Sequence, residues 1–489
     1  MRLHPSFPRP TAATVDKLRS LLDRALGPSK VLTSPDACLA YAGDDSDQEP
    51  VAPDAVVLAS SADDIAKAVR AASEAEVPIV PRAGGSGKSG GCVPVAGGVV
   101  IATLGMNAIQ EISREEQVAV VQPGVILGDL HAAVEAEGMF FPPDPNSLRM
   151  CALGGNIAEN AAGPRAFKYG STRDYVLGLE VVLVDGTQLR TGKRTVKGVT
   201  GYDVTSLLVG SEGTLAITTA ATLRLIPKPH AVTTLLALFP DVQASGRAVS
   251  AMIAAGVRPR CIELLDEGTL DAVRVRGVAV DERARAMLII EVDGEPSDCD
   301  AQAERIGEVC AAEAIDILVA QDAAQRDRLW EARRQLSPAT RAMARFKISE
   351  DVVVPRDRIP ALLEETRAIE RETGVRMITY GHAGDGNLHV NLLWNDEELL
   401  PRVEEALNRL FLSVVGMRGT LTGEHGVGTS KADFLAMEQQ PELIALQKRI
   451  KGVFDPKGLL NPHKIFPRRQ LEAASVTVAG RAVSLHGAC

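Results

Sequence analysis

Apolar residues in TVDKLRSLLDRAL recur at three- and four-residue spacing, which predicts a helix over 14–26 that Pro28 ends. The run AVVLA at 55–59 reads as a strand. Ser60 and Ser61 then lead into a helix over 63–76 with an acidic first turn, and PIVPR (78–82) is a strand that runs into a glycine-rich loop. From about 98 to 228 the chain reads mostly as short strands: GVVIATL, VAVVQPG, LEVVLVDG and LLVGSEGTLAITTAATLRLIP. The stretch from Pro227 to His230 marks a domain boundary.

From 231 the pattern restarts. TTLLALFP and AMLIIEVDG read as strands, each followed by a helix, ASGRAVSAMIAAG and CDAQAERIGEVCAAE. Two strand–helix pairs of this kind predict an antiparallel sheet with helices on one face. A helical region (324–345), a strand DVVVP, a helix (358–374) and the strands MITYGH and LHVNLLW follow. Helices at 397–416 and 432–454 close the ordered part, which ends at NPHKIFP, and the tail from 468 to 489 is read as peripheral. No period of 20–50 residues suggests a solenoid.

Composition narrows the classes. A chain of 489 residues predicts two or three domains. Its 53 Lys+Arg against 63 Asp+Glu give a net charge of −10, which excludes a general nucleic-acid binder that needs a basic face. No apolar run reaches the roughly 18 residues of a membrane span, and MRLHPSFPRP carries no apolar signal core, so a cytoplasmic protein is expected. The seven cysteines are scattered without a CxxC pair, which signals neither a zinc ribbon nor an iron–sulfur cluster and fits reduced core thiols.

The loop Pro81–Gly91, PRAGGSGKSGG, contains a Gly-Lys-Ser that imitates a phosphate-binding P-loop. That motif needs glycine where Arg82 stands and a helix after the serine, whereas GGCVPVAGGVVIAT breaks a helix and becomes a strand. A dinucleotide fold of the G-x-G-x-x-G type fails on the same missing helix. A nest of converging backbone N–H groups on an anion fits better. Two further segments rich in Gly, Ala, Ser and Asn, residues 142–178 and 197–217, leave room for a large ligand.

Together these segments resemble the FAD-binding domain of the vanillyl-alcohol-oxidase-like flavoproteins (the PCMH type). They are most similar to the branch of FAD-dependent D-2-hydroxy-acid dehydrogenases acting on D-lactate, glycolate or D-2-hydroxyglutarate. The resemblance is carried by PRAGGSGKSGG, PDP…GGNIAEN…KYGSTRDYVLGLEVVLVDG and GYD…GSEGTL, and runs from about 50 to 467. It implies an α+β protein: a PCMH-type FAD-binding domain of two α/β subdomains plus a cap with an antiparallel sheet covered by helices. Its parts are expected at 1–49 (helical segment of the FAD domain), 50–228 (FAD-binding domain), 229–414 (cap) and 415–467 (helices returning to the FAD domain). The resemblance assigns the FAD pyrophosphate to Arg82, Gly84, Gly85, Ser86, Gly87 and Ser89. It assigns the rest of FAD to Pro143, Asp144, Gly154, Gly155, Asn156, Asn160, Gly163, Tyr169, Gly170, Glu212, Gly213 and Ile217. No histidine lies in the loop, so FAD is expected to be non-covalent, with Cys151 the thiol beside the GGN motif.

Three of the eight histidines fall in GHAGDGNLHVN (381–391) and TGEHGVG (422–428). His382 and His389 flank a tight turn that lets both rings converge, although residues seven apart on a straight strand would face opposite ways. The carboxylate of Glu424 would complete a three-ligand site, and two imidazoles with a carboxylate suit Zn²⁺ or Mn²⁺ better than Ca²⁺. The resemblance implies the same metal ligands and makes His425 the general base. A metal on the hydroxyl and carboxylate oxygens of a 2-hydroxy acid would stabilise the alkoxide, and an imidazole can accept the proton near neutral pH. The family's WxxR segment points to Arg333 as the cation for the substrate carboxylate, with Lys347 and Asn391 as further substrate contacts beside His425. Electrons are expected to pass to an external acceptor: a quinone, a cytochrome, an electron-transfer flavoprotein or an iron–sulfur subunit. A membrane association through that acceptor and a homodimer are compatible with this reading. The alternatives are a peroxide-producing oxidase and a flavin subunit active only with an iron–sulfur partner.

Overall fold

The computed structural model describes residues 7–277, 280–334, 336–467, 475–478 and 481–484. Contacts divide the chain into two compact units. One holds Met1–Ala162, Ser171–Lys228 and Glu424–Leu471; the other holds Gly163–Gly170, Pro229–Gly423 and Glu472–Cys489.

The first unit contains two sheets. The strands Val31–Leu32, Ala55–Leu58, Val99–Ala102 and Ile79–Arg82 lie in that order, the last three parallel. Ala55, Val57, Val99 and Ile101 meet helix Ala62–Ala75 through Ile65, Ala68, Val69 and Ala72, and Leu18 and Leu22 of helix Ala12–Leu26 join the same core. Ser61 Oγ accepts from Asp64 N at 3.1 Å and starts the Ala62–Ala75 helix. The second sheet is antiparallel, in the order Ile109–Ser113, Val118–Val121, Ile217–Arg224, Val176–Val182, Gln188–Gly192. The region expected to be mostly strands also holds helices Leu127–Ala136, Leu153–Glu159 and Val204–Leu208. In the first, Leu127, Leu130, His131 and Val134 are buried at helical spacing. In the third, Asp203 Oδ1 accepts from Ser206 N at 2.9 Å and caps a turn whose LL sequence reads as strand.

The second unit is built on a seven-stranded sheet. Its order is Asp316–Val319, Ala231–Phe239, Ala286–Gly294, Cys261–Leu265, Arg376–His382, Asn387–Trp394, Phe346–Val353. Every pairing is antiparallel. All residues from Ala286 to Asp293 are buried, so both faces of the sheet are covered rather than the one expected. Helix Glu267–Val275 covers one of them, packing Leu270 and Val273 with Leu236, Leu265, Met287, Ile289 and Tyr380. The alternate residues Leu264, Leu288 and Ile290 are fully buried on the other.

Two boundaries differ from the sequence expectation. The chain stays with the second unit to Gly423 rather than leaving at 415. Val353 and Thr420 exchange backbone hydrogen bonds (3.0 and 2.9 Å), and Gly423 N donates to Asp351 Oδ2 at 2.8 Å. Residues 163–170 also belong to the second unit, where Lys168 Nζ donates to Asp293 O at 2.7 Å and Tyr169 Oη to Asp293 Oδ2 at 2.9 Å. The helix expected over 432–454 is interrupted before Pro441, giving Leu435–Glu438 and Pro441–Phe454. The peripheral tail is described only as the antiparallel pair Ser475–Val478 and Arg481–Ser484, and its remainder lies outside the described residues. Among the described residues no helix is long and apolar enough to cross a membrane.

At the start of helix Ala62–Ala75, Asp64 is partly desolvated, which pushes its carboxyl up. Hydrogen bonds from Lys30 Nζ, Ser60 N and Ser60 Oγ outweigh this and hold it at about 2. A carboxyl depressed in the folded state stabilises the protein above its unfolded pKa of about 3.9 and loses that contribution as pH falls towards 2. Urea midpoints measured between these pH values are therefore expected to fall less steeply in Asp64→Asn than in the natural chain.

Candidate active site

The first unit places the glycine-rich loop against the GGN segment. A side chain at Gly84 would meet Met150 O at 2.6 Å and Ala152 N at 3.0 Å, so only glycine lets the two backbones approach. Arg82 braces the loop: its guanidinium donates to Gly43 O at 2.6 Å and Cys92 Sγ at 3.2 Å and lies 5.8 Å over the Tyr41 ring. The backbone N–H groups of Thr429 and Ser430 donate to Ser89 O at 3.0 and 3.1 Å, which ties the loop to the stretch after His425. Gly85, Ser86 and Gly87 are half-buried along the loop, and Gly154, Gly155 and Asn156 lie in helix Leu153–Glu159. Ser89 Oγ is buried without a hydrogen-bond partner in the protein. A buried polar atom of this kind asks for a ligand, and a crowded glycine backbone beside it suits the pyrophosphate of FAD. Cys151 is buried, and desolvation pushes its thiol up despite hydrogen bonding from Ser147 and Asn156, so it is poorly disposed to react as thiolate.

The other residues assigned to FAD are dispersed. Pro143 O is 2.9 Å from His131 Nε2, next to Asp144. Asn160, in the left-handed region at φ 52°, accepts from Arg173 N at 2.8 Å. Ile217 opens the strand Ile217–Arg224. Gly163, Tyr169 and Gly170 belong to the second unit. Glu212, just before Gly213, has a role that sequence reasoning missed: its carboxylate accepts from Val427 N at 2.8 Å and Gly428 N at 2.6 Å. Burial pushes this carboxyl up against the pull of those two N–H groups. It holds the backbone two residues beyond His425.

The second unit builds the histidine cluster on a hairpin. Strands Arg376–His382 and Asn387–Trp394 are joined by Ala383–Gly386, where Gly386 adopts φ 87° and Asp385 Oδ1 accepts from Asn387 N at 3.1 Å. The register pairs His382 with Asn387 and Tyr380 with His389. Opposed residues share a face, so His382 and His389 are diagonal neighbours on one face. Their ring centroids are 5.2 Å apart at 85°, and both are buried. On the neighbouring strand Asp351 stands opposite His389 and accepts from Thr422 Oγ1 and Gly423 N. Glu424 is peptide-bonded to Gly423, the residue at which the chain leaves this unit. His425 Nε2 is 3.9 Å from Glu424 Oε1.

The most informative residue is one the sequence reading passed over. Glu263 stands opposite His382 across the sheet. It accepts from His382 Nδ1 with one oxygen and from Arg333 Nε, at 2.5 Å, with the other. Burial pushes its carboxyl up, but His382 and Arg333 outweigh it and hold Glu263 at about 2. Arg333 itself is buried and lies 5.2 Å over the Tyr380 ring. Lys347 Nζ donates to Thr340 Oγ1 at 2.9 Å. Asn391 Nδ2 donates to His389 O at 3.1 Å, while its buried Oδ1 has no hydrogen-bond partner in the protein. The register puts Lys347, Ser349 and Asp351 on the same face as Asn391 and His389.

Two family models match the chain: an FAD binding domain over residues 53–192 and the C-terminal domain of FAD linked oxidases over residues 228–465. The glycolate oxidase subunit GlcD of Bacillus subtilis is 41% identical over 458 residues, covering 92% of this chain and 97% of that protein. The chain belongs to the FAD-linked oxidase family. A D-lactate dehydrogenase of Anaerostipes hadrus is 35% identical over 84% of the chain and 89% of its own length. The fold is that of the PCMH-type flavoproteins: a solved p-cresol methylhydroxylase structure superposes with a TM-score of 0.78 over 94% of this chain and 98% of that chain, at 17% identity. This FAD-linked oxidase carries the glycine cradle in its first unit and the histidine hairpin in its second.

Replacing Glu212 by Ala leaves the N–H groups of Val427 and Gly428 without their acceptor. Losing hydrogen bonds to a charged group costs about 1.5–3 kcal/mol each when the partner stays buried. Chemical denaturation is expected to show a loss of a few kcal/mol, with Glu212→Gln, which keeps one oxygen, closer to the natural chain.

Proposed function

We propose that this FAD-linked oxidase converts a D-2-hydroxy acid of the D-lactate, glycolate or D-2-hydroxyglutarate type to the 2-oxo acid. The observation that carries the reading is the pair of buried imidazoles, His382 and His389, turned to one side of the hairpin, with Glu424 following the Gly423 that Asp351 holds. Two nitrogens and a carboxylate oxygen form a donor set for Zn²⁺ or Mn²⁺ with coordination positions left for substrate oxygens. The names of the relatives, a glycolate oxidase subunit and a D-lactate dehydrogenase, support the same substrate class.

In this reading Arg333 and Lys347 hold the substrate carboxylate. Asn391 offers its unpartnered Oδ1 to a substrate hydroxyl or water. His425 takes the hydroxyl proton as the carbonyl forms. His382, His389 and Glu424 would hold a divalent metal, which would supply positive charge near the substrate oxygens. The cradle would hold FAD non-covalently, and FAD would supply the acceptor for the hydride leaving the substrate Cα. Residues 82–91 and Asn156 hold its phosphates, and Glu212 keeps the segment carrying His425 in place. The word subunit in the Bacillus relative's name supports the reading in which the flavin chain works with a partner protein.

Anaerobic mixing with D-lactate, L-lactate and D-2-hydroxyglutarate, followed at the visible band of oxidised flavin, tests this. Bleaching by a D-acid is expected, abolished by a chelator. His425→Ala is expected to keep its flavin yet lower the bleaching rate by about 10²–10⁴-fold, the usual contribution of a general base. Bleaching in that variant at the natural rate would remove His425 from the chemistry. Bleaching that survives complete removal of metal would remove the metal.

A further inference from the structure

A buried carboxylate with two charged or polar partners that belong to two different functions is a link between them. Glu263 is such a residue. Its strand, Cys261–Leu265, is apolar on either side of it, and all five residues are buried. A lone carboxylate in that setting would be costly, so its partners decide what it does. One oxygen faces His382 Nδ1 and the other accepts from Arg333 Nε. His382 belongs to the donor set assigned to the metal, and Arg333 is the cation assigned to the substrate carboxylate. The two are bridged by this one side chain.

An ionised carboxylate only accepts hydrogen bonds. Arg333 donates to one oxygen of Glu263, and the other oxygen makes a hydrogen bond with His382 when the ring carries its proton on Nδ1. In the neutral ring this leaves the lone pair on Nε2, the nitrogen that can bind a metal. The cross-strand register sets the pair, since Glu263 and His382 are directly opposed in neighbouring antiparallel strands. The Tyr380 ring, which lies under the Arg333 guanidinium, is two residues before His382 on the same strand and so on the same face.

We propose that Glu263 is the positioning residue of the site, setting the tautomer of His382 with one oxygen and the orientation of Arg333 with the other. It thereby makes metal affinity and recognition of the substrate carboxylate depend on a single side chain. The inference rests on the metal and substrate reading above. Glu263 touches neither metal nor substrate, so its removal is expected to weaken both without removing a ligand of either.

Glu263→Gln is the informative variant because it keeps the shape. If its amide oxygen stays with Arg333, its NH₂ faces His382 Nδ1 and donates, which moves the ring proton to Nε2 and blocks the metal-binding lone pair. Zn²⁺ affinity, measured on stripped protein by competition with a chelator and without substrate, is expected to fall about 10–100-fold, the usual effect of losing such an outer partner. KM for the 2-hydroxy acid, measured at saturating metal, is expected to rise more than kcat falls, with Glu263→Asp intermediate in both. Unchanged Zn²⁺ affinity in a folded Glu263→Gln protein would overturn the proposal and leave the proposed function standing. The tautomer gives a readout independent of any metal: ¹⁵N shifts of histidine-labelled, metal-free protein, with His382 assigned through His382→Gln. An Nδ1-protonated His382 in the natural chain is expected, and this arm decides the matter if the Gln variant does not fold. An Nε2-protonated ring would overturn the proposal. A natural chain that binds no Zn²⁺ at all, yet shows the Nδ1–H ring, would instead defeat the metal reading and keep the positioning role.

Discussion

The register of one antiparallel hairpin governs the rest of the second unit. His382 and His389 are seven positions apart, and on a continuous strand that odd spacing would turn them to opposite faces. The Ala383–Gly386 turn reverses the chain and brings Asn387 opposite His382, so the two imidazoles become diagonal neighbours. A slip of one residue would send one of them to the apolar side, where Leu388, Val390 and Leu392 are fully buried. The neighbouring strands follow from that register: Glu263 stands opposite His382 and Asp351 opposite His389. Asp351 in turn fixes Thr422 and Gly423, one residue before Glu424.

In the first unit the corresponding constraint is close backbone approach. The loop before Gly91 lies on the Met150–Ala152 segment because Gly84 has no side chain. Arg82 and the Thr429 and Ser430 amides hold its two ends. Glu212 then reaches Val427 and Gly428, so the segment that follows the histidine pair in sequence is anchored to the flavin unit's own residues. Both units spend buried carboxylates in the same way: each accepts from groups that would otherwise be unpaired, and each fixes a chemically important stretch of chain.

Much of this was legible in the sequence. The helices at 14–26 and 63–76 and the strands AVVLA and PIVPR read correctly because their apolar spacing is clean and Pro or Ser marks their ends. The convergence of His382 and His389 was visible because histidine is scarce and the two flank a tight turn. The short helices between 98 and 228 were not, since LGDLHAAVEA and VTSLL lie among strand-like runs and depend on tertiary packing and an Asp cap. Helix Glu267–Val275, which covers the further face of the seven-stranded sheet, was missed because a run such as AMLIIEVDG shows burial but not what covers it. Glu263 was missed because its partner is 119 residues away. The available signal was a carboxylate inside the apolar run CIELL, which must be paired if the strand is buried.

The proposed function claims a catalytic metal at the hairpin, and elemental analysis of the purified chain is its sharpest test. One divalent ion per chain is predicted in the natural protein and none in His389→Gln, with flavin content equal in both. Natural protein with no metal detectable, whose flavin its substrate still reduces at full rate, would contradict the claim.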